Sequence, residues 1–288
     1  MTYYLLILLH ILLIITNEDN NHQIKHFKVE YGYCNMSHAV PIEIRSVKKI
    51  NLKGGTLVDG FPSGGLSNSI ASMCFMSSTR NELVSVLESP AFPPVSTVRG
   101  GIANFPARIY ANEDLGVSFL ISELNLNQSL YYDVAKIILR WAKENGCELV
   151  ISSGNVFTGD TKETKQFRKG HNPQKKLFGA ASTESAKQKM INSDITALEL
   201  YNGSVAGIPA LLLNEGASLN FDVIVLLGKT HIQTSEYRAA AEVSQAIMKI
   251  IPGLTCDTKF LISMARKYEQ DLRRFRAIQG GYSIDPYQ

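Results

Sequence analysis

Short apolar runs alternate with segments of helical periodicity along most of this chain. Residues 221–228 are apolar at nearly every position, and 56–61 and 147–154 are short runs that are apolar at most positions. Such runs are typical of strands buried on both faces. Residues 66–79 carry apolar side chains near a spacing of 3.6, and a glycine-rich turn separates them from the first run. The pattern therefore predicts a strand, a tight turn and a helix in succession.

The clearest helix lies in the middle of the chain, where Asn127 or Ser129 can cap an apolar stripe. Gly146 follows its end, as expected of a helix stop. The stripe is made of Leu130, Val134, Ile137, Ile138 and Trp141. A hairpin is predicted at 106–110 and 115–122, further strands at 177–182 and 195–200, and further helices at 183–191, 205–214, 236–251 and 256–278.

Strands of this kind, alternating with helices, imply a mostly parallel, mixed sheet covered on both sides. We therefore expect an α/β fold, a three-layer α/β/α sandwich with added C-terminal helices. The predicted organisation is an N-terminal extension at 1–38, an α/β domain at 39–278 and a flexible C-terminal tail at 279–288.

The N-terminal extension allows more than one interpretation. Residues 3–15 are apolar apart from His10, but a membrane-spanning helix needs about 20 such residues. A signal peptide would require a basic residue before this apolar run, but no Lys or Arg precedes it. A translation start at Met36 would remove the segment and predicts that residues 1–35 pack poorly against the domain. We therefore expect no membrane, although attachment through 3–15 stays open if Met1 is the true start.

Composition narrows the class of protein. Apolar residues make up 45% of the 288 residues, enough for a sizeable core, and a net charge of +3 is too small to indicate nucleic acid. The four cysteines, Cys34, Cys74, Cys147 and Cys256, form no CxxC pair. This argues against a metal site and favours reduced, buried thiols in a cytoplasmic protein. No cofactor motif is present, so we expect no cofactor.

The glycine-rich turn is the strongest candidate for small-molecule chemistry. Gly60, Ser63, Gly64 and Gly65 lie between a strand and a helix, where a helix N-terminus can hold an anion. The turn fits neither the dinucleotide nor the P-loop motif, so tight turning and close helix packing are the alternative. The corresponding functional hypothesis is an enzyme or a binding protein for a nucleoside or phosphate, in which Ser153 lies close to the bound anion.

Other polar residues give weaker signals. Asp59 and Asp222 lie inside apolar runs, so each needs a partner if buried, and structural capping is favoured over catalysis. His231 and Glu236 could form an acid–base pair, or His231 could simply be a surface residue. Residues 160–190 are rich in Lys and Arg and are either a solvated loop or a contact for an acidic partner.

The chain ends in Pro286, Tyr287 and Gln288. A penultimate tyrosine offers an aromatic ring and a hydroxyl, and the terminal carboxylate offers a fixed negative charge. Such an end can enter a pocket on another protein.

Several segments, taken together in order and spacing, resemble the proteasome assembly chaperone 2 family, especially its archaeal members. The resemblance extends from about residue 41 to about residue 275, and residues 1–38 have no counterpart. It rests on the elbow at 59–68, the helix and strand at 131–151 with Trp141 and Gly146, the helix entry at 203–209 and the helix start at 235–241.

The resemblance implies a fold like that of nucleoside phosphorylases without their catalysis, so we expect no enzyme. It also implies self-association into a homo-oligomer and a cytoplasmic role as a chaperone or adaptor in assembling the 20S proteasome. The end Pro286-Tyr287-Gln288 resembles the hydrophobic-tyrosine-any tail that inserts between proteasome α subunits. The implied partners are α subunits and further copies of this chain.

Overall fold

The structure, a computed structural model, describes residues 42–62, 65–155, 177–197, 205–228 and 236–280. The chain divides into two units, residues 1–39 and 40–288, and everything below concerns the second. Residues 279 and 280 of the predicted flexible tail are helical, which corrects its start. Residues 281–288, Ser63, Gly64, His231 and most of the basic segment lie outside the described residues.

Helices and strands alternate along this unit much as the apolar pattern predicts. The first half contains strands β1 (Glu43–Ser46) and β2 (Gly55–Val58), helix α1 (Ser67–Ser78), strands β3 (Glu82–Glu88), β4 (Thr97–Arg99), β5 (Ile102–Asn104), β6 (Ala107–Asn112) and β7 (Val117–Ser122), and helix α2 (Tyr131–Glu144). The second half contains β8 (Cys147–Asn155), β9 (Leu177–Ala181), α3 (Glu184–Asn192), β10 (Thr196–Ala197), α4 (Ile208–Leu219), β11 (Asp222–Gly228), α5 (Glu236–Ile250) and α6 (Thr258–Gly280).

One mixed sheet forms the centre of the fold, with strand order β1-β3-β6-β7-β2-β8-β11-β9-β10. The central strands β7, β2, β8 and β11 run parallel to their neighbours in that group. Strands β1, β3, β6 and β7 pair antiparallel on one side, and β9 pairs antiparallel with β11 on the other. The expected mixed sheet is confirmed, and its parallel character is confined mainly to the centre.

Helices cover both faces of the sheet, as a three-layer sandwich requires. Strand β11 shows how the core divides, because Val223, Val225 and Leu227 pack towards α2 and α4, whereas Ile224 and Leu226 pack towards α1, α3, α5 and α6. All five side chains are fully buried. The near-continuous apolar run seen in the sequence thus reflects burial on both sides.

Helix α2 has the position and the stop predicted for it. The side chain of Asn127 accepts a hydrogen bond from Ser129 N in a short 3₁₀ turn that leads into the helix. Gly146 follows the helix with φ 82°, a conformation that strongly favours glycine. Trp141 lies on the buried face, and its Nε1 donates to Ser85 Oγ at 3.0 Å, which joins α2 to β3.

An ion pair between a buried arginine and a partly exposed glutamate stabilises the antiparallel side of the sheet. Arg108 on β6 is 1% exposed, and its guanidinium donates two hydrogen bonds of 2.8 Å to Glu123. It also donates to the Phe105 carbonyl at 2.6 Å. Because a buried charge without a partner is strongly destabilising, this pair fixes the chain where it leaves the β4–β5 hairpin.

The expectation of reduced thiols is wrong for two of the cysteines. Cys74 on α1 and Cys256, just before α6, form a disulfide across 182 residues of sequence. Cys147 stays a free thiol, and burial raises its pKa to about 12. The spacing of the cysteines could not reveal the pair, because only the packing of the helical layer brings α1 beside the α5–α6 connection.

Within the described ranges, no helix is long and apolar enough to cross a membrane. The apolar residues 3–15 lie outside these ranges.

Candidate functional site

The turn between β2 and α1 is the elbow, defined here as residues 59–68. It lies at the carboxyl end of β2, beside the parallel strand β8, which is where many α/β proteins bind ligands. The Asp59 N–H donates to the Ile151 carbonyl at 2.8 Å, so the two strands remain paired up to the start of the elbow.

Asp59 is the polar centre of the elbow and is completely buried. Its Oδ1 accepts from Phe61 N at 2.9 Å, and its Oδ2 accepts from Asn68 Nδ2 at 3.0 Å and from Ser152 Oγ at 2.7 Å. Burial raises the pKa of this carboxyl, and the three hydrogen bonds oppose the rise. The expectation that Asp59 needs partners is confirmed.

The network continues from Asp59 to the end of β8. Asn68 Oδ1 accepts from Ser153 Oγ at 3.0 Å, while the Asn68 amide group also donates to the Phe61 carbonyl at 3.4 Å. Both oxygens of Asp59 and both polar atoms of the Asn68 side chain are thus occupied within the protein. Such an arrangement ties the described part of the elbow to β8 and leaves Asp59 no role as an exposed base.

Gly60 is a packing residue. A Cβ at this position would collide with the Leu120 carbonyl oxygen and lie 2.9 Å from Ser72 Cβ on α1. Ser69 Oγ donates to the Gly60 carbonyl at 2.7 Å, which draws the first turn of α1 against the elbow. Close helix–sheet packing, which the sequence suggests for Gly64 and Gly65, is thus found at Gly60. Gly65 has φ 140°, consistent with a turn that only glycine adopts easily.

A carboxylate of the chain itself occupies the N-terminus of α1. Glu236, the first residue of α5, accepts from Leu66 N at 3.1 Å and from Ser67 N at 2.9 Å through the same oxygen, Oε2. These N–H groups have no partner within their own helix, and the helix dipole favours negative charge there. Glu236 therefore fills the position at which an external anion would bind.

Asp222 has a structural role of the kind expected. Its carboxylate accepts from Thr183 Oγ1, from Ser185 Oγ at 2.8 Å and from Lys189 Nζ at 2.9 Å, so that it holds α3 against β11. Burial tends to raise the pKa of Asp222, but these hydrogen bonds and the charge of Lys189 outweigh it and lower the pKa.

Other parts of the described surface offer little chemistry. No group of three or more His, Cys, Asp or Glu residues there could hold a metal ion. A cleft of about 360 Å³ lies between β1, β3 and the end of α2, with Ser85, Arg140 and Trp141 among its lining residues. None of its lining residues is one of the predicted site residues.

Two exposed apolar features are better suited to contacts with other proteins than the cleft is to chemistry. On α6, Phe260 is 56% and Tyr268 51% exposed, and the half-buried Met264 lies between them, so the three form one stripe along the helix. On the β4–β5 hairpin, Val98 is 66% and Ile102 71% exposed. Isolated exposed apolar residues are common, but a stripe of this kind is typical of an interface.

Fold and site together define an α/β sandwich whose candidate ligand position, the strand-to-helix turn, is occupied by the chain's own polar groups. The sequence profile of the PAC2 family matches residues 57–276, and the chain belongs to this family.

Several proteins similar to this chain come from archaea. An uncharacterised protein of Methanocaldococcus jannaschii, MJ0106, is 25% identical over 229 residues, which cover 78% of this chain and 87% of that protein. The crystal structure of Pyrococcus furiosus PbaA, described as an archaeal homolog of proteasome-assembly chaperone, is 24% identical, with a TM-score of 0.65 over 82% of this chain and 96% of that one. P. furiosus PbaB, described as an archaeal proteasome activator, is 19% identical, with a TM-score of 0.63 over 82% of this chain and 99% of that one. These structures show the same fold.

Proposed function

We propose that this chain is a non-enzymatic chaperone or adaptor that acts in the cytoplasm in the assembly of the 20S proteasome. The observation that carries the proposal is the PAC2 match over residues 57–276, together with folds like those of PbaA and PbaB. The elbow supports it, because Asp59 and Asn68 are satisfied internally and Glu236 covers the α1 N-terminus. A chaperone requires a stable body that presents contact surfaces, and this arrangement supplies one.

The proposed contact with the proteasome is the end of the chain, Pro286-Tyr287-Gln288, which docks on α subunits. The sequence continues from the end of α6 at Gly280 to Gln288, so the three residues follow a helix at the surface of the domain. In the docked state the Tyr287 ring supplies apolar contact area, its hydroxyl a hydrogen bond, and the terminal carboxylate a charge for a lysine or for backbone N–H groups.

Self-association is the second part of the proposal. The stripe of Phe260, Met264 and Tyr268 on α6 gives each copy an apolar helix face that can be buried against another copy. Several tails on one oligomer raise the effective concentration of each, so that individually weak contacts with a ring of α subunits add up to firm binding.

The test is a binding measurement between the purified full chain and proteasome α subunits. Deleting Tyr287 and Gln288, or replacing Tyr287→Ala, should abolish co-purification while leaving thermal unfolding unchanged. Tyr282→Ala is the matched control, because it removes another tyrosine from the same terminal segment and should bind normally. Undiminished binding by the truncated chain would show that the tail is not the contact.

A further inference from the structure

The disulfide between Cys74 and Cys256 joins two parts of the helical layer that the sequence keeps far apart. Cys74 lies on α1, the helix of the elbow, and Cys256 lies two residues before the first residue of α6. Both residues are only partly buried, in contrast to the free thiol of Cys147. The bond thus lies at the edge of the core, where we expect a small thiol to reach it.

Noncovalent contacts hold α6 along residues 258–270, the part of the helix whose side chains are described. Leu261 is 4% exposed and Ala265 fully buried, and both face the core shared with α5. Arg238 on α5 donates hydrogen bonds of 2.9 and 2.8 Å to the two carboxylate oxygens of Glu269. At the start of the helix, Asp257 Oδ1 accepts from Phe260 N at 3.0 Å, which caps α6 but does not tie it to α1. The disulfide adds a covalent tie between α1 and the start of α6.

Cys147 does not compete for this bond. It lies on the opposite face of the sheet, in the core beneath α2 and α4, and its raised pKa keeps it in the thiol form that does not attack disulfides. Among the cysteines of the described residues, the bond can therefore open and close between the same two partners.

We propose that the Cys74–Cys256 disulfide is a reversible anchor of α6, a redox modification site that sets how firmly the start of this helix is held against α1. A dithiol opens it by two successive exchanges: one thiolate attacks one sulfur of the bond to give a mixed disulfide, and the second thiolate displaces the protein sulfur. Cys74 and Cys256 each end as thiols with one added proton, and the dithiol leaves as a cyclic disulfide. A small-molecule disulfide restores the bond by the reverse exchange.

Opening the anchor should loosen α6 locally, because the body of the fold does not depend on it. The central strands β8 and β11 are buried between both helical layers, whereas α6 lies at the outside of one layer and packs on α5. The proposed anchor acts on the helix that precedes the chain end. The proposal does not require that the chain contacts the proteasome.

Amide hydrogen exchange on the full chain, with and without a dithiol, tests the proposal directly. On reduction, residues 258–270 should exchange about tenfold faster or more, whereas β8 and β11 should be unchanged, as expected of a local opening. Adding a small-molecule disulfide should restore the protection. Intact-mass and alkylation measurements should locate the two new thiols at Cys74 and Cys256.

Variants separate the anchor from general effects of the reductant. Cys74→Ser and Cys256→Ser should each show the loosened α6 without any dithiol, whereas Cys147→Ala should still respond to reduction as the unmodified chain does. Unchanged exchange at 258–270 after complete reduction would overturn the proposal. A uniform loss of protection throughout the fold on reduction would also overturn it. So would the finding that Cys74 and Cys256 are both alkylated before reduction and do not pair on oxidation.

Discussion

Ser152 Oγ donates a 2.7 Å hydrogen bond to Asp59 Oδ2 across 93 residues of sequence. The bond joins the carboxyl ends of two neighbouring parallel strands, β2 and β8, at the point where β2 turns into the elbow. A completely buried carboxylate at this position is costly unless its oxygens are used. Here both oxygens of Asp59 accept hydrogen bonds from the protein itself. A position that commonly binds ligands in α/β proteins therefore has a structural role.

Replacing Asp59→Asn should destabilise the protein at neutral pH. The change places an amide NH₂ where Asp59 Oδ2 now accepts from Asn68 Nδ2 and Ser152 Oγ. Two donors then face each other, and the expected loss is about 1–3 kcal/mol in the free energy of unfolding. Urea unfolding followed by circular dichroism measures it.

Asp114→Asn is the control for this substitution, because Asp114 is an exposed aspartate in the turn between β6 and β7. It should unfold at the same urea concentration as the parent chain. If both variants behaved alike, the network around Asp59 would contribute nothing measurable.

Replacing Gly60→Ala should be destabilising through packing. The added methyl group would collide with the Leu120 carbonyl oxygen and approach Ser72 on α1. Overpacking of this kind costs about 1–3 kcal/mol, which thermal or urea unfolding would show. Gly228→Ala is the control, because a Cβ there meets no atom of the described residues within 4 Å. Equal stability of the two variants would mean that α1 can move away from the sheet easily.

Elements built from continuous local patterns could be predicted from the sequence. Helix α2 has one apolar stripe and a glycine stop, and β11 is apolar at almost every position, so both were placed within a few residues of their observed bounds. Strand β3 was missed because Ser85 and its terminal glutamates interrupt the apolar pattern. Ser85 is nevertheless buried, since it accepts from Trp141 across 56 residues of sequence.

The parts of the site that could not be predicted depend on contacts between distant residues. Glu236 reaches the N-terminus of α1 across 169 residues, and Cys74 pairs with Cys256 across 182. Neither relationship leaves a periodic or compositional signal. Asp59 was identified as needing partners because it is a charged residue in an apolar run, but only the parallel pairing of β2 with β8 shows that Ser152 is one of them.

Removing Glu236 should expose an anion-binding position at α1. In Glu236→Ala the N–H groups of Leu66 and Ser67 lose their acceptor, and the loss of such a cap costs about 0.5–2 kcal/mol. Inorganic phosphate should then raise the melting temperature of the variant, whereas the parent chain should not respond. A thermal-shift titration with phosphate, at constant ionic strength, measures both.

Glu148→Ala, a substitution of an exposed carboxylate on β8, is the matched control and should behave as the parent chain does. A phosphate response in the parent chain itself would contradict the view that Glu236 occupies the position. It would favour the competing hypothesis of a nucleoside- or phosphate-binding protein.

Asp222 should make stability depend on pH. Its folded pKa is lowered below the unfolded value of about 3.9, so its contribution is present above that value and is lost as the pH falls through the folded pKa. Asp222→Asn should therefore cost about 1 kcal/mol near neutral pH, and the difference from the parent chain should shrink below about pH 4. Urea unfolding at a series of pH values tests this, and a difference that grows on acidification would reverse the assigned sign.

The stripe on α6 should control self-association. Replacing Phe260→Ser and Tyr268→Ser together removes the two exposed ends of the stripe, and should weaken association between copies at least about tenfold, because aromatic side chains dominate the energetics of most interfaces. Size-exclusion chromatography with light scattering, over a dilution series, measures the change. Lys259→Ser is the control, because Lys259 is exposed on the same helix but outside the stripe. An unchanged oligomer in the double variant would place the interface elsewhere, and the exposed β4–β5 hairpin with Val98 and Ile102 would then be the next surface to test.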